Sequence, residues 1–283
     1  MNERAVTFGP DHALVGVCST PRNLRPESPI VLLTNAGVLP RQGPHRMNVR
    51  IARALAEDGV ASLRFDLSGN GDSQSIGNTT GVRAQAVLDI KSAMDWVETE
   101  AGKRRFLIFG VCSGAVNAYE LALDDDRIAG LMMFDGYWFK SRWTTPVRNF
   151  KRAMVTGWRQ RLVAISRRLF ATSARKEPAM AGSAETLLSG SNPYGNPPLA
   201  SFVDAMQFLT DRGTEVFFIY SGSVLDVYSY AGQFRDVFER YTFYPRIRCE
   251  YHPDIDHTFI ARHAQQKMVA IICAWARASF ARP

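Results

Sequence analysis

The sequence predicts an α/β fold, with a mostly parallel central sheet flanked by helices and an inserted helical cap. Three observations carry this. Short apolar runs read as buried strands at Ile30-Val31-Leu32-Leu33, at Phe106-Leu107-Ile108-Phe109 and across 128–134. Stretches with helical apolar spacing separate them, such as 82–99, where Ala86, Val87, Ile90, Met94 and Val97 share one face. Most informative is the junction Gly110-Val111-Cys112-Ser113-Gly114, which joins the strand at 106–109 to an Ala- and Leu-rich stretch at 115–123 that lacks Gly and Pro. A strand–turn–helix with a glycine two places either side of one residue is a turn with a steric requirement. The central residue is held in a strained conformation, and side chains at the flanking positions would collide with neighbouring backbone. The turn lifts Cys112 above the sheet and aims the Ser113 N–H at the place where an oxyanion would develop. Ser113 itself lies one place off the centre of the turn and would point elsewhere.

The remaining elements follow in order. Residues 4–8 and 13–19 read as an antiparallel opening pair split by Gly9-Pro10-Asp11. The strand at 30–34 runs into Asn35-Ala36-Gly37-Val38, where a backbone N–H of Gly37 or Val38 is the candidate second oxyanion donor. A helix over 46–58 stops at Gly59, and a strand at 61–65 enters Asp66-Leu67-Ser68-Gly69-Asn70-Gly71-Asp72-Ser73. The role expected of that loop is structural, with Asp66 satisfying loop N–H groups and the glycines allowing tight turns. After the strand at 128–134 the pattern changes, and 137–199 reads as a cap dividing a core formed by 1–136 and 200–283. Within the cap Phe150, Met154, Trp158, Leu162, Ile165 and Leu169 recur at helical spacing, as a lid helix packing on the core would have them. A helix at 202–209, strands at 214–220 and 246–251, and a closing helix at 262–278 complete the core.

At 283 residues, with 46% hydrophobic and 22% charged residues, the chain suits one large soluble α/β domain with an insertion. No CxxC pair occurs among Cys18, Cys112, Cys249 and Cys273, which argues against a zinc site or dithiol redox motif, and all but Cys112 read as core. No metal and no cofactor is expected. The residues after Met1 contain no apolar h-region and no run has membrane-spanning length, so a reducing cytoplasm is the expected compartment. The net charge of +7 is uneven: eleven Lys or Arg and no Asp or Glu lie between Lys140 and Lys176. Arg148, Lys151 and Arg152 are the candidates there for binding an acidic partner. No recognised nucleic-acid module accompanies them.

Nucleophile, acid and histidine stand in a definite order: Cys112 after one strand, Asp226 after the strand ending at Tyr220, and His257 between the last strand and the closing helix. The rivals are His252, on or next to the last strand, Asp135 at the end of the preceding strand, and Asp256, too close in sequence to His257 to aim at its ring. This order resembles the α/β-hydrolase superfamily over nearly the whole chain. More narrowly, Asn35-Ala36-Gly37, Gly43-Pro44-His45-Arg46, Arg64-Phe65-Asp66-Leu67-Ser68-Gly69 and Gly110-Val111-Cys112-Ser113-Gly114 resemble the cysteine-bearing hydrolases associated with exosortase systems, and related hydrolases found beside natural-product assembly genes. The resemblance implies a triad of Cys112, His257 and Asp226, with Cys where most of the superfamily carries Ser.

A thiolate paired with a protonated imidazole is a strong nucleophile near neutral pH, and its acyl-enzyme is a thioester. Exchange with a thioester substrate is then nearly isoenergetic. The expectation is an acyl hydrolase or acyltransferase of thioesterase type, acting on a small-molecule ester or thioester free or presented by coenzyme A or an acyl carrier protein. The alternative is a non-catalytic binding or scaffold protein with this fold.

Overall fold

The computed structural model describes residues 1–25, 27–34, 36–76, 81–155 and 195–279. Most of the expected cap, including Trp158, Leu162, Ile165 and Leu169 and the basic residues from Arg159 to Lys176, lies outside the described residues, as does Asn35.

The strands are β1 (Asn2–Phe8), β2 (Leu14–Thr20), β3 (Ile30–Leu33), β4 (Ser62–Phe65), β5 (Phe106–Val111), β6 (Ile128–Phe134), β7 (Glu215–Ser221) and β8 (Ile247–His252). They form one eight-stranded sheet in the order β1-β2-β4-β3-β5-β6-β7-β8. β2 runs antiparallel to both of its neighbours, and every pairing from β4 to β8 is parallel. The helices are α1 (Met47–Glu57), α2 (Val82–Ala101), α3 (Ser113–Asp124), α4 (Thr144–Val155), α5 (Leu199–Asp211), α6 (Gln233–Phe238) and α7 (Arg262–Ala278).

Parallel strands covered on both faces must be apolar throughout, and β3 and β5 are buried at every position. Their side chains divide by parity between two cores. Leu32 and Ile108 join Ile90 and Met94 of α2 and Val116 of α3, whereas Val31, Leu33, Leu107 and Phe109 join Ile51 and Leu55 of α1 and Met268 and Ile272 of α7. α2 ends where Gly102 adopts φ 63° and its N–H returns to the Glu98 carbonyl, a left-handed stop that glycine takes without strain. The short helix α6 had no signal in the sequence, since six residues are too few to establish a period. Helix α4 carries the first two residues of the expected stripe, Phe150 and Met154, and these are 64% and 72% exposed instead of packed on the core.

The loop after β4 has the structural role its sequence suggested. The Asp66 carboxylate is fully buried and accepts from the Arg41 N–H (2.5 Å), the Arg41 guanidinium and the Asp72 N–H (3.1 Å). Gly71 has φ 53°, and a Cβ there would fall on the Asp66 carboxyl group. Removing one member of a buried ion pair strands the other. Asp66→Ala should therefore lower the stability to urea by about 3 kcal/mol. An unchanged unfolding midpoint would show that the carboxylate does not hold this loop.

Candidate active site

The site is assembled at the carboxyl ends of β3, β5, β6, β7 and β8, where a parallel sheet brings successive loops together. β5 delivers Cys112, which has φ 56° and ψ −117°, a conformation that a side chain tolerates only under outside constraint. The constraint is a close approach of backbone: a Cβ on Gly110 would overlap the Gly114 carbonyl group and the Ala115 nitrogen. Cys112 is 4% exposed, and the helix α3 starts at the next residue, Ser113.

β6 delivers Asp135, 1% exposed and also at positive φ (49°). Its Oδ1 accepts the Ser221 N–H at 2.7 Å, and its Oδ2 accepts the Ser221 hydroxyl at 2.6 Å. The same Oδ2 lies 2.8 Å from His257 Nδ1. His257 is itself 7% exposed, and its backbone N–H donates to Ser223 Oγ at 2.9 Å. The imidazole is thus fixed by its ring and its main chain at once. Burial works against its charged form, but the hydrogen bonds and negative charge of Asp135 and of the neighbouring Cys112 outweigh burial and push its pKa up to about 10.

Asp226, expected to be the acid, is not brought to His257. Its carboxylate is 58% exposed and is held by Arg152, whose Nη2 lies 2.6 Å from Oδ1 and 2.9 Å from Oδ2. The physical reason lies in the loop after β7. That loop turns into a short 3-10 helix at Gly222–Val224, which carries Asp226 outward toward α4. Ser221 and Ser223, for which the sequence carried no signal, remain at the site and donate to or hold Asp135 and His257. The other rivals are engaged elsewhere. His252 Nε2 pairs with Glu250 at 2.7 Å, and Asp256 accepts the N–H groups of Thr258 and Ile260 within its own loop.

In the loop after β3, the Gly37 N–H donates to Ser113 Oγ at 2.7 Å. The Val38 N–H makes no hydrogen bond among the described residues, and the Val38 side chain is 72% exposed. Of the three basic candidates, Lys151 donates to the Ser229 carbonyl at 2.6 Å, Arg152 binds Asp226, and Arg148 lies 3.9 Å from Asp226. These contacts tie α4 to the loop after β7. Among the described residues no group of three or more His, Cys, Asp or Glu is arranged to hold a metal ion, and no helix is long and apolar enough to cross a membrane.

Two outcomes follow from this geometry. Asp135→Asn should slow alkylation of Cys112 by iodoacetamide near neutral pH roughly tenfold or more, because the imidazolium loses the partner that favours it, whereas Asp226→Asn should leave the rate within about twofold. The reverse ranking would restore Asp226 as the acid. The raised pKa of His257 also sets a pH dependence. Folding favours the protonated ring, so this contribution is fully present below the ordinary value of 6.5 and is lost as pH rises through about 10. The thermal midpoint should fall across that interval by more in the wild type than in His257→Gln, and parallel curves would contradict the coupling.

No protein-family model matches the sequence, and no curated protein does. Solved structures do match over nearly the whole chain. A proline iminopeptidase from Mycobacterium smegmatis is similar with a TM-score of 0.59 and 17% identity, covering 99% of each chain. Est1E from Butyrivibrio proteoclasticus gives 0.56 and 14%, covering 98% of this chain and 99% of its own. An α/β serine hydrolase without a lid from Xanthomonas campestris gives 0.55 and 14%, covering 98% and 95%. With the sheet order and the strand-to-helix turn at Cys112, these likenesses establish that the chain has the α/β-hydrolase fold.

Proposed function

We propose that this protein is an acyl hydrolase or acyltransferase that works through a covalent acyl-enzyme on Cys112, with His257 as general acid–base and Asp135 as the residue that positions the imidazole. The observation that carries the reading is the buried His257 ring, hydrogen-bonded to Asp135 on one side and next to the Cys112 thiol on the other. In the first step the Cys112 sulfur attacks the carbonyl carbon of an ester or thioester, and the Ser113 N–H stabilises the oxyanion. Gly37 is engaged with Ser113 Oγ, which favours the Val38 N–H as the second donor. Collapse breaks the bond to the leaving group, which takes its proton from His257. In the second step His257 removes a proton from water or another acceptor, which attacks the thioester and releases the thiol. Asp135 keeps the Nδ1 proton in place throughout, so that Nε2 exchanges protons with the reacting groups.

Cysteine in place of serine favours thioester substrates and transfer to amines, alcohols or thiols, because the intermediate keeps its acyl-transfer potential. Coenzyme A or a carrier protein as the acyl donor is supported by the basic run from Lys140 to Lys176. Arg152, paired with Asp226, contributes less to that field than its charge suggests.

Incubation with a panel of acyl thioesters should add one acyl mass to the wild type and none to Cys112→Ala. An adduct of equal yield on Cys112→Ala would remove Cys112 as the nucleophile. Cys112→Ser should fold but turn over at least about a hundredfold more slowly, since the pair with His257 is matched to a thiol. Turnover equal to wild type would refute the specialisation for sulfur.

A further inference from the structure

A cavity of about 350 Å³ opens beside the elbow, lined among others by Gly37, Val38, Ser113, Asn117, Leu67 and Val82. Its position relative to the reacting groups is informative. It touches the residues on the oxyanion side of Cys112, and none of its lining comes from the loop that carries His257. A leaving group must face His257 to take up its proton, so the acyl group faces the other way, into this cavity. The volume lies toward the small end of ligand pockets and suits a short or medium acyl chain.

The exposed Ser75 aside, the polar side chains of the lining are hydrogen-bonded, with Asn117 the one buried exception among the described residues. Asp89 accepts from the Ser68 N–H at 2.7 Å and from Gln85 Nε2 at 2.8 Å. Asn70 Nδ2 donates to the Gly37 carbonyl at 3.3 Å, and Ser68 Oγ accepts the Ile76 N–H at 2.7 Å. The exception is Asn117. It is 7% exposed and lines the cavity, and its side-chain amide makes no hydrogen bond among the described residues. The residue is buried but its amide is open to the cavity and unpaired with protein, so a ligand entering there can complete the pairing. Asn117 lies four residues after Ser113, one turn along the same face of α3, and a helical side chain leans back toward the helix start. Its amide therefore stands over the acyl chain a few carbons beyond the carbonyl held by the Ser113 N–H.

Building on the acyl-enzyme reading above, we propose that Asn117 is a specificity-determining residue that selects acyl groups bearing a neutral hydrogen-bonding substituent, such as a hydroxyl or carbonyl, a few carbons from the scissile bond. The substituent is neutral because the Asp89 carboxyl group lines the same cavity and disfavours an acyl tail carrying a second negative charge. The apolar walls formed by Leu67, Ile76, Val82 and Ala86 cover the chain on either side of the polar contact.

The test compares acylation of Cys112 by butyryl, 3-hydroxybutyryl, hexanoyl and 5-hydroxyhexanoyl thioesters, followed by intact mass at sub-saturating substrate. The wild type should favour one hydroxylated substrate over its plain counterpart by about tenfold, the scale of a buried hydrogen bond. Asn117→Leu, of similar volume, should bring that ratio to about one, as should Asn117→Ala if the leucine variant folds poorly. An absence of preference in the wild type, or a preference retained in both variants, overturns the proposal. A parallel titration of Cys112→Ala with the four corresponding primary amides, with and without the Asn117 change, separates the two readings. Binding of a hydroxyamide that depends on Asn117, with no acylation of the wild type by any thioester, would refute the acyl-enzyme and leave the pocket assignment standing. Acylation with no dependence on Asn117 in either arm would do the opposite.

Discussion

The molecule depends on the near-contact of two pieces of backbone. β5 ends and α3 begins so close together that position 110 has no room for a Cβ, and the residue between them, Cys112, is forced to positive φ. Every other feature of the site is arranged about that point. The parallel pairing of β5 with β3 and β6 fixes where the turn stands. The two apolar cores on the faces of the sheet supply the packing that outweighs the strain. The turn in return presents a thiol, a free helix N-terminus and the Ser113 side chain within a few residues of each other.

Asp135 shows how a buried charge is accommodated. A carboxylate at 1% exposure needs donors on both oxygens, and it has three: the Ser221 N–H, the Ser221 hydroxyl and His257 Nδ1. Ser221 is the last residue of β7, so the strand after which the sequence placed the acid supplies two donors to the carboxylate at the end of its neighbour β6. Asp226, a few residues further on, forms a partly exposed pair with Arg152 and contributes to how α4 lies against the loop after β7. The carboxylate that meets His257 Nδ1 therefore comes from the end of β6 and not from the loop after β7.

The two sides of Cys112 differ in character. The His257 side is a dense network in which ring, carboxylate, two serines and main chain hold one another. The Gly37 side holds a cavity in which one amide, that of Asn117, has no partner among the described residues. In the acyl-enzyme reading proposed above, such an arrangement keeps the chemistry constant and leaves the choice of substrate to a few side chains.

The sequence determined the sheet and the elbow, and placed His257 in its loop, because each rests on local physics. Apolar runs as at 30–33 and 106–109 can only be satisfied between two layers. Gly110, two places before Cys112, reports a close approach to the Gly114 backbone that no other residue permits. His257 is the histidine in the loop between the last strand and the closing helix. Which aspartate meets His257 was not legible in the same way. Asp135 and Asp226 both follow parallel strands that lie side by side, and spacing along the chain says which strand a residue follows but not whether its loop turns inward or outward. That was decided by the tertiary structure: positive φ at Asp135 turns its carboxylate under the imidazole, while the 3-10 turn after Ser221 and the guanidinium of Arg152 take Asp226 away. Asn117 was hidden for a related reason, since an asparagine on a helix has no pattern of its own, and only the packing of α3 against the loops after β3 and β4 leaves its amide facing a cavity.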